Sequence, residues 1–193
     1  MKKLIGLFLL GLIFCVPAMA QDVPKYEIGG GVPYRSYDQF SGVRINMPGW
    51  EAYGDRHIWR FINLAGDIAG TYNRTSSSGS VNKTNSSTDI YSFLIGPQLY
   101  PFGHKHKITP FAHVLFGGGY FSFRLTQVGF NPFSTSYFGP VWMGGGGLDW
   151  KFKEHWSIRL IQADYEQSRF LSGAGAQTNY RASVGLIYRF HEK

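Results

Sequence analysis

Cysteine is nearly absent from this 193-residue chain: Cys15 is the only one, and nothing after the first twenty residues could form a disulfide. Disulfides are therefore not the stabilising device, even in a compartment that would permit them. Long apolar runs are also missing, apart from "LIGLFLLGLIFCV" near the N-terminus, which is too short to span a bilayer comfortably as a helix. No later stretch sustains a helical period, which argues against helical architecture. The formal charge is +7, but the Lys and Arg residues are scattered, with no basic run interleaved with base-stacking aromatics, so a nucleic-acid interface is excluded. The run Gly144 to Gly147 has the composition of a phosphate cradle. It leads into "LDWKF" rather than into Lys-Ser/Thr and a helix, so a nucleotide site fails too.

What is present points to the cell envelope. Lys2 and Lys3, the short apolar run and "AMA" (Ala18 to Ala20) have the form of a signal peptide over residues 1–20, with Gln21 opening the mature chain. A lipidated Cys15 is the alternative, but bulky Phe14 stands where a small residue is expected. The remaining chain is the size of one domain. Aromatics at 17% and 25 glycines are typical of membrane β-barrels with aromatic belts at the two interfaces.

Alternating segments separated by turn residues predict eight strands: Lys25–Tyr37, Met47–Asp55 (the weakest), Phe61–Asn73, Asp89–Phe102, Ile108–Leu125, Ser136–Phe152, Trp156–Phe170 and Asn179–Phe190. The connections alternate in length. "DQFSGVRIN", "RTSSSGSVNKTNSST", "TQVGFNPFST" and "LSGAGAQT" are long, whereas "RHIWR", "GHKHK" and "KEH" are short. That is the pattern of an antiparallel up-and-down barrel in an outer membrane, with the long loops outside and both termini on the short-turn side. Residues 74–88, rich in Ser, Thr and Asn, are too polar to fold alone and are expected to be a mobile loop. The three sequons at Asn73, Asn82 and Asn85 would carry no meaning if the cell is bacterial.

Strand parity assigns the faces. In the closing segment Tyr180, Ala182, Val184, Leu186, Tyr188 and Phe190 oppose Arg181 and Arg189. The third and sixth segments likewise set Ile62, Leu64 and Ile68 against Asp67, and Trp142, Leu148 and Trp150 against Asp149 and Lys151. The seventh starts with Arg159 on the polar face and slips phase near Ile161, where a β-bulge would return Asp164 to it. Mid-strand charges of both signs suit a closed lumen, where they must be paired. The expected lumen network is Glu27, Arg35, Asp67, His113, Asp149, Lys151, Arg159, Asp164, Arg181 and Arg189, with acids and bases about equal in number.

"KITPFAHVLFGGG", "GGGLDWKF", "SIRLIQADY" and "YRASVGLIYRF" resemble the last four strands of bacterial outer-membrane barrel proteins of the eight-stranded OmpA-like type. The resemblance implies a barrel over residues 21–190, surrounded by outer-membrane lipid and inserted by the barrel-assembly machinery, with Phe190 as the aromatic strand end. "HEK" (residues 191–193) extends past that signal, and the barrel is expected without the peptidoglycan-binding domain of the best-known family members. "PGW" at Pro48–Trp50 faintly resembles the first strand of lipocalins, but those want an apolar interior.

Because some eight-stranded barrels modify lipid A, an enzyme is weighed. It would need serine, histidine and an acid together near the outer rim. His113, the mid-strand histidine, lies nearer the short turns, away from Ser122, Ser134 and Ser136, so no enzyme is expected. His104 and His106 in "GHKHK" read as a solvated turn, not a metal site. The expectation is a monomer without cofactor or metal, with a mechanical, surface-binding or narrow-pore role. Inward Gly117, Gly119, Gly145 and Gly147, set roughly side by side by a hairpin centred near Phe130, are expected to make room for Phe61 and Phe111 in a side-chain-filled lumen; the alternative is a slot between the fifth and sixth strands for a small solute or an acyl chain.

Overall fold

In a computed structural model, which describes residues 24–40, 43–78, 83–103, 106–170 and 175–190, eight strands form a closed ring. They are β1 (Tyr26–Phe40), β2 (Val43–Trp59), β3 (Ile62–Ser78), β4 (Lys83–Leu99), β5 (Ile108–Gln127), β6 (Phe133–Lys151), β7 (Trp156–Ser168) and β8 (Gln177–Phe190). Each strand pairs antiparallel with its sequence neighbours, and β8 closes on β1 from Tyr26↔Phe190 to Ser36↔Tyr180. The expected signal at 1–20 and the extension at 191–193 lie outside the described residues.

The strands are longer than their apolar stretches suggest. β2 runs from Val43 to Trp59, well beyond the expected Met47–Asp55. The polar segment expected as a mobile loop is mostly ladder: β3 and β4 stay paired from Asn73↔Thr88 to Ser78↔Lys83. The physical reason is lateral support. β5 pairs with β4 as far as Thr84↔Gln127, so the Ser/Thr hairpin is one panel of a continuous sheet and need not fold alone. At its own tip the β5–β6 hairpin turns through Gly129, whose φ of 87° is a conformation that glycine adopts without strain.

A β-bulge at Leu160 and Ile161 turns both side chains outward and restores the inward set Gln162, Asp164, Glu166 and Ser168. Outside, exposed Ile28, Val32, Ile68, Phe93, Ile95, Val184 and Leu186 make an apolar band. Aromatic clusters bound it. On the hairpin side, Trp50 donates to Tyr72 Oη at 2.9 Å, Tyr72 meets Tyr91 edge-on, and Tyr165 lies between Trp142 and Tyr180. On the turn side, Tyr188 contacts Trp156 and Phe190. Tyr180 and Phe190 thus bracket a span of β8 close to the roughly 9–11 residues that a tilted strand needs to cross a bilayer. β5 and β6, at 20 and 19 residues, rise well past that band.

The barrel interior as candidate functional site

Inward parity brings most of the predicted charges together. Arg181 on β8 reaches across the lumen to β3, donating from both terminal nitrogens to Asp67 (2.8 and 3.0 Å), while its Nε donates to Asp164 at 3.0 Å. Glu51 completes the group 3.7 Å from Arg181. Asp164 also meets His113 Nε2 at 2.9 Å and accepts from Gln162 at 2.7 Å. Arg159 holds Asp149 through two hydrogen bonds and lies 4.2 Å from the ring centroids of both Tyr53 and Phe111. Nearer the turns Arg189 pairs with Glu27 at 2.8 Å. Nearer the hairpins Arg35 binds Glu166, Thr71 and Ser92.

The balance differs from the near-equality expected. Among the described residues seven buried carboxylates (Glu27, Glu51, Asp55, Asp67, Asp149, Asp164, Glu166) face four buried arginines and His113. Glu51, Tyr53 and Asp55 lie on β2, whose alternation is the weakest because the residues between them are the small Ala52 and Gly54. Glu166 was legible, since the bulge that carries Asp164 inward carries Glu166 with it. Lys151 does not join the network. It is the last residue of β6, half-buried at the rim, with no ion pair among the described residues.

Above the charges lies an apolar layer that parity alone did not reveal. Tyr37 on β1 stacks on Phe121 of β5 at 5.9 Å, and Phe121 stacks on Phe170 at 5.8 Å. β1 and β5 lie opposite each other in an eight-strand ring, so the Tyr37–Phe121 contact spans the bore. Met47, Ile90, Val141 and Met143 fill the space around it. Below, a void of about 10 Å³ lined by Asp55, Asp67, His113 and Gln98 has room for about one water.

The glycines are not set side by side. The β5–β6 register pairs Gly117 with Val141 and Gly119 with Gly139, whereas Gly145 and Gly147 pair with His113 and Phe111. The hairpin is centred at Gly129, one residue earlier than expected, so the two clusters move apart. Space beside Gly119 is taken by Phe170 and Val141, beside Gly147 by the Phe111 ring, and beside Gly145 by Asp164. A side chain on Gly117 would run into the Phe93 backbone. Phe61 does not share this space; it sits in the β2–β3 turn beneath Arg60.

A family profile described as an outer membrane protein beta-barrel domain matches residues 6–190. The chain belongs to that family. It is an outer-membrane barrel of the eight-stranded OmpA-like type, located in the outer membrane of a Gram-negative bacterium, with membrane lipid around its apolar band. Solved structures share the fold. Ail, the attachment invasion locus protein of Yersinia pestis, in complex with the heparin analogue sucrose octasulfate, is 17% identical with a TM-score of 0.65, covering 87% of this chain and 99% of Ail. Neisserial surface protein A is 11% identical with a TM-score of 0.58, covering 86% and 97%. OprG from Pseudomonas aeruginosa is 13% identical with a TM-score of 0.51, covering 88% and 97%. No curated protein matches the sequence. In barrels of this kind the short turns face the periplasm and the longer hairpins the exterior.

Proposed function

We propose that the protein is a non-enzymatic, closed barrel whose outer hairpins present a binding surface at the cell exterior. The observation that carries this reading is the Tyr37–Phe121–Phe170 stack lying over the Arg181–Asp67 bridge, two layers that each cross the lumen. Ions would have to displace both. His113 is engaged by Asp164 and packs on Phe111, which supports a structural role over that of a base. The outward surface lies on the β5–β6 hairpin, where Val128, Phe130 and Phe133 are 63%, 67% and 57% exposed. Ring closure leaves no strand edge to pair with another copy, in keeping with a monomer. Phe190, closing β8 beside Tyr26, suits recognition by the assembly machinery. Export with cleavage after Ala20 belongs to the same reading, and mass spectrometry of membrane-extracted protein should find Gln21 first. Planar-bilayer recordings of the refolded protein should show no discrete conductance steps; reproducible steps would overturn the closed-barrel reading.

A second reading concerns the partner. Among the described residues the outer end exposes Arg44, Arg74, Arg124 and Arg169 against half-buried Asp38 and Asp89. This balance favours a polyanion, and the fold relative Ail has been solved with a sulfated saccharide. Immobilised heparin should retain the protein in a salt-sensitive way. Arg74→Gln, Arg124→Gln and Arg169→Gln together should lower the salt needed for elution, and an unchanged elution would reject this partner class.

A further inference from the structure

At the periplasmic end the acids of the strands lie inside the lumen, whereas Arg56 on the outward face of β2 and the bases of the turns lie outside it. Lys25 precedes β1, Arg56 and Arg60 flank the β2–β3 turn, Lys107 ends the β4–β5 turn, and Lys151 and Lys153 border the β6–β7 turn. Arg56, Arg60, Lys107 and Lys153 are exposed; Lys25 and Lys151 are half-buried. Most acids of this end are turned into the lumen. Glu27 and Asp149 are buried against Arg189 and Arg159, and Asp55 is buried against Asn63. Glu154 is the one exposed acid there among the described residues.

The cations are level with the lower aromatic belt. Arg56 and Lys25 lie 5.7 and 5.8 Å from the Tyr26 ring centroid, and Arg60 lies 5.4 Å from that of Phe61. Trp59, Trp150 and Phe190, all partly exposed, share this end. Aromatic belts sit at head-group depth, and long basic side chains beside them reach the phosphate layer. The cations also recur at the chain end and at all three turns, so they encircle the barrel. A protein or cell-wall strand docking from below would meet one patch, whereas head groups surround the whole perimeter.

We propose that this ring binds the phosphate groups of anionic phospholipids in the inner leaflet of the outer membrane, and so fixes the height of the barrel in the bilayer. Basic residues next to an anionic lipid surface are attracted individually and additively, and the attraction is screened by salt.

The test uses protein refolded into phosphatidylcholine vesicles carrying trace spin-labelled phosphatidylglycerol or phosphatidylcholine, with the fraction of motionally restricted label read by electron spin resonance. A preference for phosphatidylglycerol of about two-fold or more is expected at low salt, disappearing at high salt. The quadruple variant Arg56→Gln, Arg60→Gln, Lys107→Gln, Lys153→Gln should lose it, whereas Arg74→Gln, Arg124→Gln, Arg169→Gln at the outer end should keep it. If the quadruple variant does not refold, Arg56→Gln and Lys153→Gln decide the matter: each should lower the preference, and no change in either overturns the proposal. Equal restriction of the two lipids, or a preference that only the outer variant removes, also overturns it. So does binding of purified peptidoglycan sacculi without any lipid preference.

Discussion

Arg181 reaches across the lumen to Asp67, and Tyr37 reaches across it to Phe121, yet the two bridges differ in how they hold. The charged layer is directional. Each guanidinium is fixed by particular carboxylates, and removing one partner leaves the other buried without its counter-charge. The aromatic layer is held by area and shape, and its members can shift to fill a loss. The first should therefore fail abruptly and the second gradually, although both cross the same bore.

The largest effect is expected at Arg181. Arg181→Met leaves Asp67, Asp164 and Glu51 without their shared cation, and breaking a buried pair in this way costs about 3–5 kcal/mol. Urea unfolding in detergent micelles should show the loss, together with loss of the gel shift between unboiled and boiled samples. A variant that keeps wild-type stability would mean that these carboxylates are solvated. Phe121→Ala comes next, at about 3 kcal/mol, for a large buried ring. The double variant Phe121→Ala, Phe170→Ala should still not conduct, because the Arg181–Asp67 bridge remains. If it does conduct, the aromatic layer alone is the seal.

The contrast between the layers also explains what could be read from the sequence. Charges at alternate positions of an apolar strand have one reasonable destination, so Arg181, Asp67, Asp149 and Arg159 announce a lumen. The phase slip at Ile161 likewise announces the bulge. Tyr37, Phe121 and Phe170 carry no such mark, since an apolar residue suits lipid and interior alike. Their partners also lie on opposite sides of the ring, a relation that no local pattern encodes. The Ser/Thr strands of the β3–β4 hairpin stayed hidden for a related reason: their support comes from β5, not from their own residues.

A smaller effect separates charge from shape within the lower layer. Arg159→Lys keeps the positive charge but gives up the planar group between Tyr53 and Phe111 and the paired bonds to Asp149. A cost of about 1–2 kcal/mol is expected in urea unfolding. A cost near zero would show that charge alone suffices there.

The smallest effect tests how far the upper layer can yield. A Cβ on Gly119 would stand 2.9 Å from Phe170 Cε1 and from Val141 Cγ2, too close for both to stay in place. Both contacts are side-chain atoms, so the layer can move aside, and Gly119→Ala should cost only about 1 kcal/mol, the lower end of overpacking penalties. The decisive measurement is the coupling between positions. In Phe170→Leu the smaller side chain vacates part of that space, so adding Gly119→Ala should cost less than it does in the wild type. A double-mutant cycle should then give a favourable interaction energy of about 0.5 kcal/mol or more. Strict additivity would place the Phe170 ring away from Gly119. That result would reopen the space between β5 and β6 that the ring occupies in this structure.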